Sequence, residues 1–458
     1  MLTSLLTGVD VGQALASQPV KRTCSEAFGA KISATAAAIE LANDNLAKLA
    51  LEPLDEMSEE IATARMNRFA KILAMSDAEF AALRTSPLNF GDTVSSAVTK
   101  GKSVTEAVES KFGRYDSPWK HRVADFDEAG NVRTDLLPRV SLSLENGRQK
   151  LDFARIHFSK RDAAFADVIL EDYLQLAEKQ RGLRLLIVTD REDLEAKLRT
   201  VSSDVRNRIQ IEHSKESLWI WAQDGSKPVD LPRTTAEFGQ ARYTKSTTEL
   251  GERAVLDVIP VAVNGAQEHF LQGGDIIVGD RHVFVGLAEI NYVRMAYHES
   301  EAGALRVLSA IFQKEAVPAY VRETGHGAEA WSFHIDLDMV VAVDRKTNHE
   351  VVLVRSPEEL LNQLAETKLP VVLEDADVIA ARNRIVERYT RGDFGKTLAK
   401  GSREFLERLS TISNLDLKWS IYRGRVFSRL ISSYGYEVRP LPGFGNAAES
   451  GQSLFFGT

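Results

Sequence analysis

A histidine and an aspartate two residues apart form the first group in this sequence that could do chemistry. They are His334 and Asp336, in the apolar segment FHIDLDMVVAVD at Phe333–Asp344. The segment predicts a strand, on which residues two apart point to the same face. An imidazole beside a carboxylate is a general acid–base arrangement, but two metal ligands or a polar pair on a solvated face would look the same. His326, in TGHGAEA, is either a third partner or an exposed loop residue.

Two other segments place a carboxylate where a ligand could be bound. LWIWAQDGSKPV, at Leu218–Val229, predicts a Trp-rich strand ending at Asp224, whose carboxylate could accept two hydrogen bonds from a planar guanidinium. Asp-Gly is also an ordinary turn signal. FLQGGDIIVGDRHVFVG, at Phe270–Gly286, has paired glycines that let the backbone approach a ligand, followed by Asp275. It lacks the Gly-Lys-Ser/Thr of a phosphate-binding loop.

The elements that must position these motifs are short strands alternating with helices, which begin near residue 135 and predict an α/β fold. The predicted strands are 184–190, 209–212, 218–221, two around a tight turn at Gly279-Asp280, 351–355 and 436–439. The predicted helices are 191–198, one near 301–313, 379–412 with a break at Arg391-Gly392, and 422–433. Short strand pairs followed by a helix differ from a regular βαβ repeat.

The first third of the chain is rich in Ala, Leu, Glu and Lys and predicts helices. One is predicted at Ala38–Glu52, a second after Ser58, and a third behind a capping box formed by Ser76 and Glu79. We therefore divide the chain into a helical N-terminal domain, 1–134, and an α/β domain, 135–458. The helical domain is either an adaptor, targeting or oligomerisation module or a packing extension with no separate role.

The composition of the chain indicates which kinds of partner it binds and which cellular compartment it occupies. The net charge of −8, with both signs mixed, argues against a nucleic-acid partner. No apolar run approaches the ~20 residues that span a membrane, so no membrane insertion is predicted. The one cysteine, Cys24, allows no intrachain disulfide and no multi-cysteine metal site, which suits the cytoplasm. The N-terminus is a poor Sec signal, and export by a non-Sec route stays open.

The order and spacing of the three motifs resemble the guanidino-group-modifying enzymes of pentein fold, which include arginine deiminase, agmatine deiminase, dimethylarginine dimethylaminohydrolase and glycine amidinotransferase. Asn291, shortly after the hairpin, resembles the polar residue that follows it in that family. The resemblance covers roughly residues 180 to 458. It implies a pseudo-fivefold α/β propeller of ββαβ modules in which carboxylates hold a guanidinium, a cysteine thiolate attacks its carbon, and a histidine transfers protons, without metal or organic cofactor.

Carried over position by position, the resemblance implies catalytic roles for His334, as acid and base, and for Asp336, as the carboxylate beside it. The implied substrate-binding residues are Trp221, Asp224, Gln272 and Asp275. We expect Asp224, Gln272, His334 and Asp336 to converge on one cavity. Gln272 departs from the family, which commonly has a carboxylate there, so we expect a preferred substrate that differs from free arginine or agmatine.

A second departure is the missing nucleophile, because Cys24 is far from the C-terminal position that the family uses. We expect that residues beyond 458 were removed or are carried on another chain, since GQSLFFGT resembles an opening strand that stops short. The alternatives are a natural pseudoenzyme, and a serine, Ser450 or Ser453, acting in place of the cysteine.

These observations predict a deiminase-type hydrolase that acts on a small guanidino substrate and is incomplete or inactive in this form. Hydrolysis is favoured over amidino transfer. One alternative is a catalytically dead pentein that binds a ligand or a protein. Another is an effector that modifies arginine side chains of proteins. An exposed last strand would favour a homo-oligomer or a second chain that completes the last module.

Overall fold

The computed structural model describes residues 59–86, 93–113, 121–137, 139–148, 151–160, 163–214, 218, 226–229, 236–239, 257–260, 262–263, 267–268, 273–322, 328–330, 334–392, 409, 413–445 and 453–455. In these residues helices alternate with short strands, as the sequence predicts. The predicted helix at Ala38–Glu52, most of the predicted strand at 218–221, and Cys24 lie outside them.

The described chain begins with four helices, and local capping sets the start of the last three. These are α1 (Glu59–Ala74), α2 (Asp77–Thr85), α3 (Val94–Thr99) and α4 (Val104–Phe112). The Ser76 side chain accepts from the Glu79 backbone, and the Glu79 carboxylate accepts from the Ser76 backbone N–H at 2.7 Å. This confirms the predicted capping box. Thr93 and Ser103 cap α3 and α4 in the same way.

The first sheet is parallel. Its strands, in spatial order, are β1 (Phe153–Phe158), β2 (Arg184–Thr189) and β3 (Ile209–His213), connected through α5 (Ala163–Lys179), α6 (Leu194–Leu198) and α7 (Ser203–Arg206). The strands predicted at 184–190 and 209–212 are confirmed. Central strand β2 is buried from Leu185 to Thr189, as expected for a strand covered on both faces.

Three other sheets share one connectivity, in which the second strand of an antiparallel pair also pairs in parallel with a third strand. The three sets are β4 (Ser226–Val229), β5 (Ala236–Gly239) and β6 (Asp257–Pro260); β9 (Ile276–Val278), β10 (His282–Val285) and β11 (Glu315–Pro318); and β14 (Met339–Val343), β15 (Glu350–Ser356) and β16 (Glu437–Gly445). Strand β17 (Ser453–Phe455) extends the last of them, antiparallel to β16. Two-stranded sheets are formed by β7 (Ala262–Val263) with β8 (Gln267–Glu268), and by β12 (Tyr320–Arg322) with β13 (Ala328–Ala330).

Helices connect the second and third strands in two of these sets. They are α8 (Leu287–Tyr297) and α9 (Glu301–Phe312), then α10 (Pro357–Ala365), α11 (Asp375–Arg391) and α12 (Asn414–Ser432). The described part of the chain is thus an α/β structure of small mixed sheets. Closure of these sheets into a propeller stays a prediction.

Most predicted elements of this region are confirmed with shifted ends. The hairpin around Gly279-Asp280 and the helix near 301–313 are present, and α11 ends at Gly392, whose φ of 78° stops the helix where the break was predicted. Helix α12 begins earlier than predicted because Ser413 caps it. Helix α8 was not predicted, since it is buried on nearly all sides and carries little helical periodicity.

The strand predicted over Phe333–Asp344 is wrong in its first half. His334 is followed by a turn of 3-10 helix, Ile335–Leu337, and strand β14 begins only at Met339. The turn forms because Asp338 is fixed from β15. Its carboxylate pairs with the Arg355 guanidinium, and its carbonyl accepts from the Arg355 backbone at 2.8 Å. His334 and Asp336 therefore do not share a strand face.

Helices α1 to α4 pack into the same cores as the α/β region. Phe69 and Phe80 are buried with residues of α12, and Val94 and Phe112 are buried with residues of α8 and α9. Whether residues 1–134 are a separate domain stays a prediction. Arg429 of α12 forms a polar contact between the two regions that involves several backbone carbonyls. It donates to the carbonyls of Ile72, Leu73 and Met75 and lies 4.6 Å above the Phe80 ring.

We expect Arg429→Ala to destabilise the chain by about 2–3 kcal/mol, because it leaves the C-terminal carbonyls of α1 without their charged donor. Arg429→Lys should lose about half as much, since an ammonium cannot reach all three carbonyls. Exposed Arg384 provides the matched control, and Arg384→Ala should change stability by less than about 0.5 kcal/mol. Urea unfolding measures all three variants. Equal losses for Arg429→Ala and Arg384→Ala would refute this role.

Candidate functional site

The Gly-Gly-Asp segment places Asp275 beneath the start of helix α8. Gly273–Asp275 form a turn of 3-10 helix, and the Asp275 carbonyl accepts from the Gly286 N–H at 2.8 Å. Asp275 Oδ2 accepts from the backbone N–H of Glu289 at 3.0 Å, at a helix N-terminus where an acidic group is favoured. The side chain is 1% exposed, and within the described chain its Oδ1 atom has no hydrogen-bond partner. Burial raises the pKa of Asp275 well above its usual value, and the charges of Glu289 and Asp336 add to this effect.

His334 packs directly on this turn. A Cβ atom added at Gly274 would lie 2.5 Å from His334 Nδ1, so only glycine fits beneath the ring. Burial lowers the pKa of His334 to about 3, with a further contribution from the positive charge of Lys227. The ring is therefore neutral at physiological pH, with one nitrogen able to accept a proton.

Asp336 lies two residues further on, in the 3-10 turn that follows His334. Burial raises the pKa of Asp336 to about 7; the positive charge of Lys227 opposes this, and the negative charges of Glu145 and Asp338 add to it. Both protonation states of Asp336 are therefore populated near neutral pH. A carboxyl group whose pKa is raised to this range, next to a neutral imidazole, can donate and accept a proton in a reaction.

Lys227 and Glu145 come from elsewhere in the chain, act electrostatically on Asp336 and were not predicted. Lys227, on β4, is 0% exposed, and its Nζ donates to Glu145 Oε1 at 2.6 Å. The segment that carries Glu145 bridges two sheets, because the Ser143 N–H bonds to the Pro228 carbonyl and the Glu145 N–H to the Val278 carbonyl, both at 2.9 Å. Lys227 lies in the SKPV sequence that follows Asp224, but nothing in that motif indicates a buried cation.

Further buried ion pairs and hydrogen bonds involve helices α8 and α9 and strand β12. Asn291 Oδ1 accepts from Arg294 Nη1 at 2.8 Å, on helix α8. Glu301 accepts from the Tyr320 hydroxyl and from the guanidinium of Arg322. Burial lowers the pKa of Arg294 to about 10, an effect that the charges of Tyr320 and Glu301 oppose. Asn291, singled out in the sequence, is thus buried and bonded within its own helix.

The structure brings together three of the predicted site residues, Asp275, His334 and Asp336. The predicted placement of His334 and Asp336 on one strand face is wrong. The three residues meet instead through two 3-10 turns that pack on each other. Trp221, Asp224, Gln272 and His326 lie outside the described residues, so their predicted convergence with His334 stays a prediction.

The chemistry that this group supports is proton transfer on a buried, polar ligand.

In the described ranges no cluster of three or more His, Cys, Asp or Glu side chains has the arrangement of a metal site. The helices described here also include none with the length and apolar character needed to cross a membrane.

Comparisons with known proteins find likeness in structure only. No protein-family model matches the chain, and no curated protein matches it in sequence. The structure is similar to a substrate-bound agmatine deiminase of C. jejuni, with a TM-score of 0.36 and 9% identity over 67% of this chain and 74% of that one. It is also similar to a putative arginine deiminase from Porphyromonas gingivalis, with a TM-score of 0.31 and 13% identity over 55% and 71% of the two chains. The agmatine deiminase of Enterococcus faecalis is similar with a TM-score of 0.31 and 12% identity, over 49% of this chain and 62% of that chain.

Proposed function

We propose that this chain binds the guanidinium group of an arginine-like compound and belongs to the deiminase class of hydrolases. The observation that carries the proposal is the buried group of Asp275, His334 and Asp336, a neutral imidazole flanked by two carboxyl groups with raised pKa values. A planar cation with several N–H donors suits such a group, because it can bond both carboxylates and release their protons.

In deimination, water replaces one guanidinium nitrogen, which leaves as ammonia. We assign His334 as the group that accepts a proton from the nucleophile and returns it to the leaving nitrogen. Asp336 and Asp275 bind the remaining N–H groups, with Asp224, Gln272 and Trp221 as the further binding residues predicted from the sequence. The described residues include no cysteine, so the nucleophile is not assigned. The three sheets that share one connectivity support closure into a propeller of ββαβ modules as part of this proposal.

A second candidate function is ligand binding without turnover. The observation that favours it is the single cysteine of the chain, Cys24, which belongs to the leading segment and not to any of the motifs. A chain with the binding carboxylates and the histidine but no catalytic thiol would hold a guanidino compound without cleaving it.

Calorimetric titration with agmatine, with arginine and with an arginine-containing peptide tests both functions, together with an assay for released ammonia. We expect millimolar binding or tighter, and at least a tenfold loss of affinity in Asp336→Asn, which cannot form a charge-assisted bond. Asp135→Asn, at an exposed site, is the matched control and should bind normally. Binding with ammonia release supports the deiminase, and binding without release supports the second candidate. If none of the three compounds binds the natural chain, the proposal is wrong.

A further inference from the structure

The site already contains a cation of its own. The Lys227 ammonium is fully buried, bonds to Glu145 at 2.6 Å, and acts electrostatically on both His334 and Asp336. The Lys227 side chain is 1% exposed and that of Glu145 24% exposed, so the lysine lies on the inner side of the pair.

Backbone hydrogen bonds hold the two segments that carry this ion pair. Ser143 bonds to Pro228, the neighbour of Lys227, while Glu145 bonds to Val278 of the hairpin that begins at Asp275. The segment that carries Glu145 is therefore attached both to the sheet of Lys227 and to the sheet that directly follows Asp275. The Lys227 ammonium keeps its position as long as its bond to Glu145 at 2.6 Å holds.

A buried lysine beside a cation-binding site has two consequences for a ligand. It neutralises Glu145, so this carboxylate is not available to a guanidinium. It also repels any second positive charge that enters, and this repulsion is strong where water is excluded. Placing a guanidinium next to Asp336 thus works against the protein's own ammonium group.

We propose that Lys227 is a specificity-determining residue, which occupies one cation position of the site and weakens the binding of positively charged ligands. This inference rests on the proposed function, since it assumes that the group at Asp336 binds guanidinium ions. It implies that the preferred ligand carries a negatively charged group near its guanidinium, which Lys227 would attract, as in a guanidino acid.

The test compares Lys227→Met, which removes the charge at similar volume, with Lys227→Arg, which keeps it. Lys197→Met is the matched control, since Lys197 pairs with Asp167 at 3.2 Å on the protein surface. Titration with methylguanidinium, a cation without an acidic group, should show about tenfold tighter binding in Lys227→Met than in the natural chain, Lys227→Arg or Lys197→Met. Titration with guanidinoacetate should show the reverse order. Unchanged or weaker methylguanidinium binding in Lys227→Met would overturn the inference.

A second measurement separates this inference from the proposed function. In Lys227→Ala the cavity beside Glu145 should accept ethylammonium, so added ethylammonium should raise the melting temperature of this variant by several degrees more than that of the natural chain. If the natural chain binds no guanidino compound but ethylammonium stabilises Lys227→Ala, the function fails and the cation position stands. If ethylammonium stabilises both proteins equally, the cation position is wrong. If Lys227→Ala does not fold, Lys227→Met and its methylguanidinium affinity decide alone.

Discussion

Asp336→Asn is expected to stabilise the chain more at pH 8 than at pH 5. The difference in free energy of unfolding between this variant and the natural chain should be about 2–3 kcal/mol larger at pH 8. Burial raises the pKa of Asp336 to about 7 in the folded chain, whereas an aspartate in the unfolded chain ionises near pH ~4. A carboxyl group whose pKa rises on folding costs nothing below the unfolded pKa. As pH rises from there to the folded pKa, the folded state progressively loses stability. Asparagine does not ionise, so the variant is spared this loss, and urea unfolding at the two pH values measures it.

His334 has the opposite dependence, which makes the expected result specific. Burial lowers the pKa of His334 to about 3, so its contribution to stability is complete above the unfolded value near ~6.5 and is lost as pH falls below it. Between roughly pH 4 and 6.5 the two residues have opposite effects on the stability of the natural chain: as pH falls, Asp336 favours the folded state and His334 favours the unfolded state. Asp336→Asn should therefore also become acid-labile. Asp135→Asn, at an exposed carboxylate, should show neither change. A stability difference for Asp336→Asn that is equal at pH 5 and pH 8 would rule out a buried, titrating carboxyl group.

The parts of the fold that sequence predicts well are those set by neighbouring residues. The capping box at Ser76 and Glu79, the helix stop at Gly392 and the hairpin at Gly279-Asp280 each depend on side chains within a few positions of the feature. Local preferences are enough to predict them. These features were therefore predicted correctly.

The site depends on contacts between distant segments, and there the prediction was partial. The pattern His334-x-Asp336 indicates a strand, but the pairing of Asp338 with Arg355 on the next strand bends this segment into a turn. The buried cation was missed because Lys227 and Glu145 are 82 positions apart in the chain. A local motif identifies which side chains can take part in a reaction. The electrostatic environment of these side chains is set by residues that lie far away in the sequence and belong to no local motif.

The largest structural effect is expected from adding one methyl group at Gly286. Its φ of −74° is open to any residue, but a Cβ atom there would overlap the carboxyl group of Asp275. Gly286→Ala should therefore displace Asp275, break its bond to the Glu289 N–H and destabilise the chain by about 3 kcal/mol or more. Thermal and urea unfolding measure the loss. The same variant should bind guanidino ligands at least tenfold more weakly, because Asp275 and the His334 ring are packed on one turn.

Asp275→Ala provides the control that separates this overlap from any general intolerance at Gly286. It removes the carboxyl atoms that the new methyl group would meet, so Gly286→Ala should cost far less in this background than in the natural chain. The expected coupling is at least about 2 kcal/mol, above the usual range for residues that do not touch. Additive losses would mean that Asp275 does not lie against Gly286. A strong coupling would instead show that the Asp275 carboxyl group lies directly beneath Gly286, at the start of α8. The space between these two residues can hold either this carboxyl group or a methyl group at position 286, but not both.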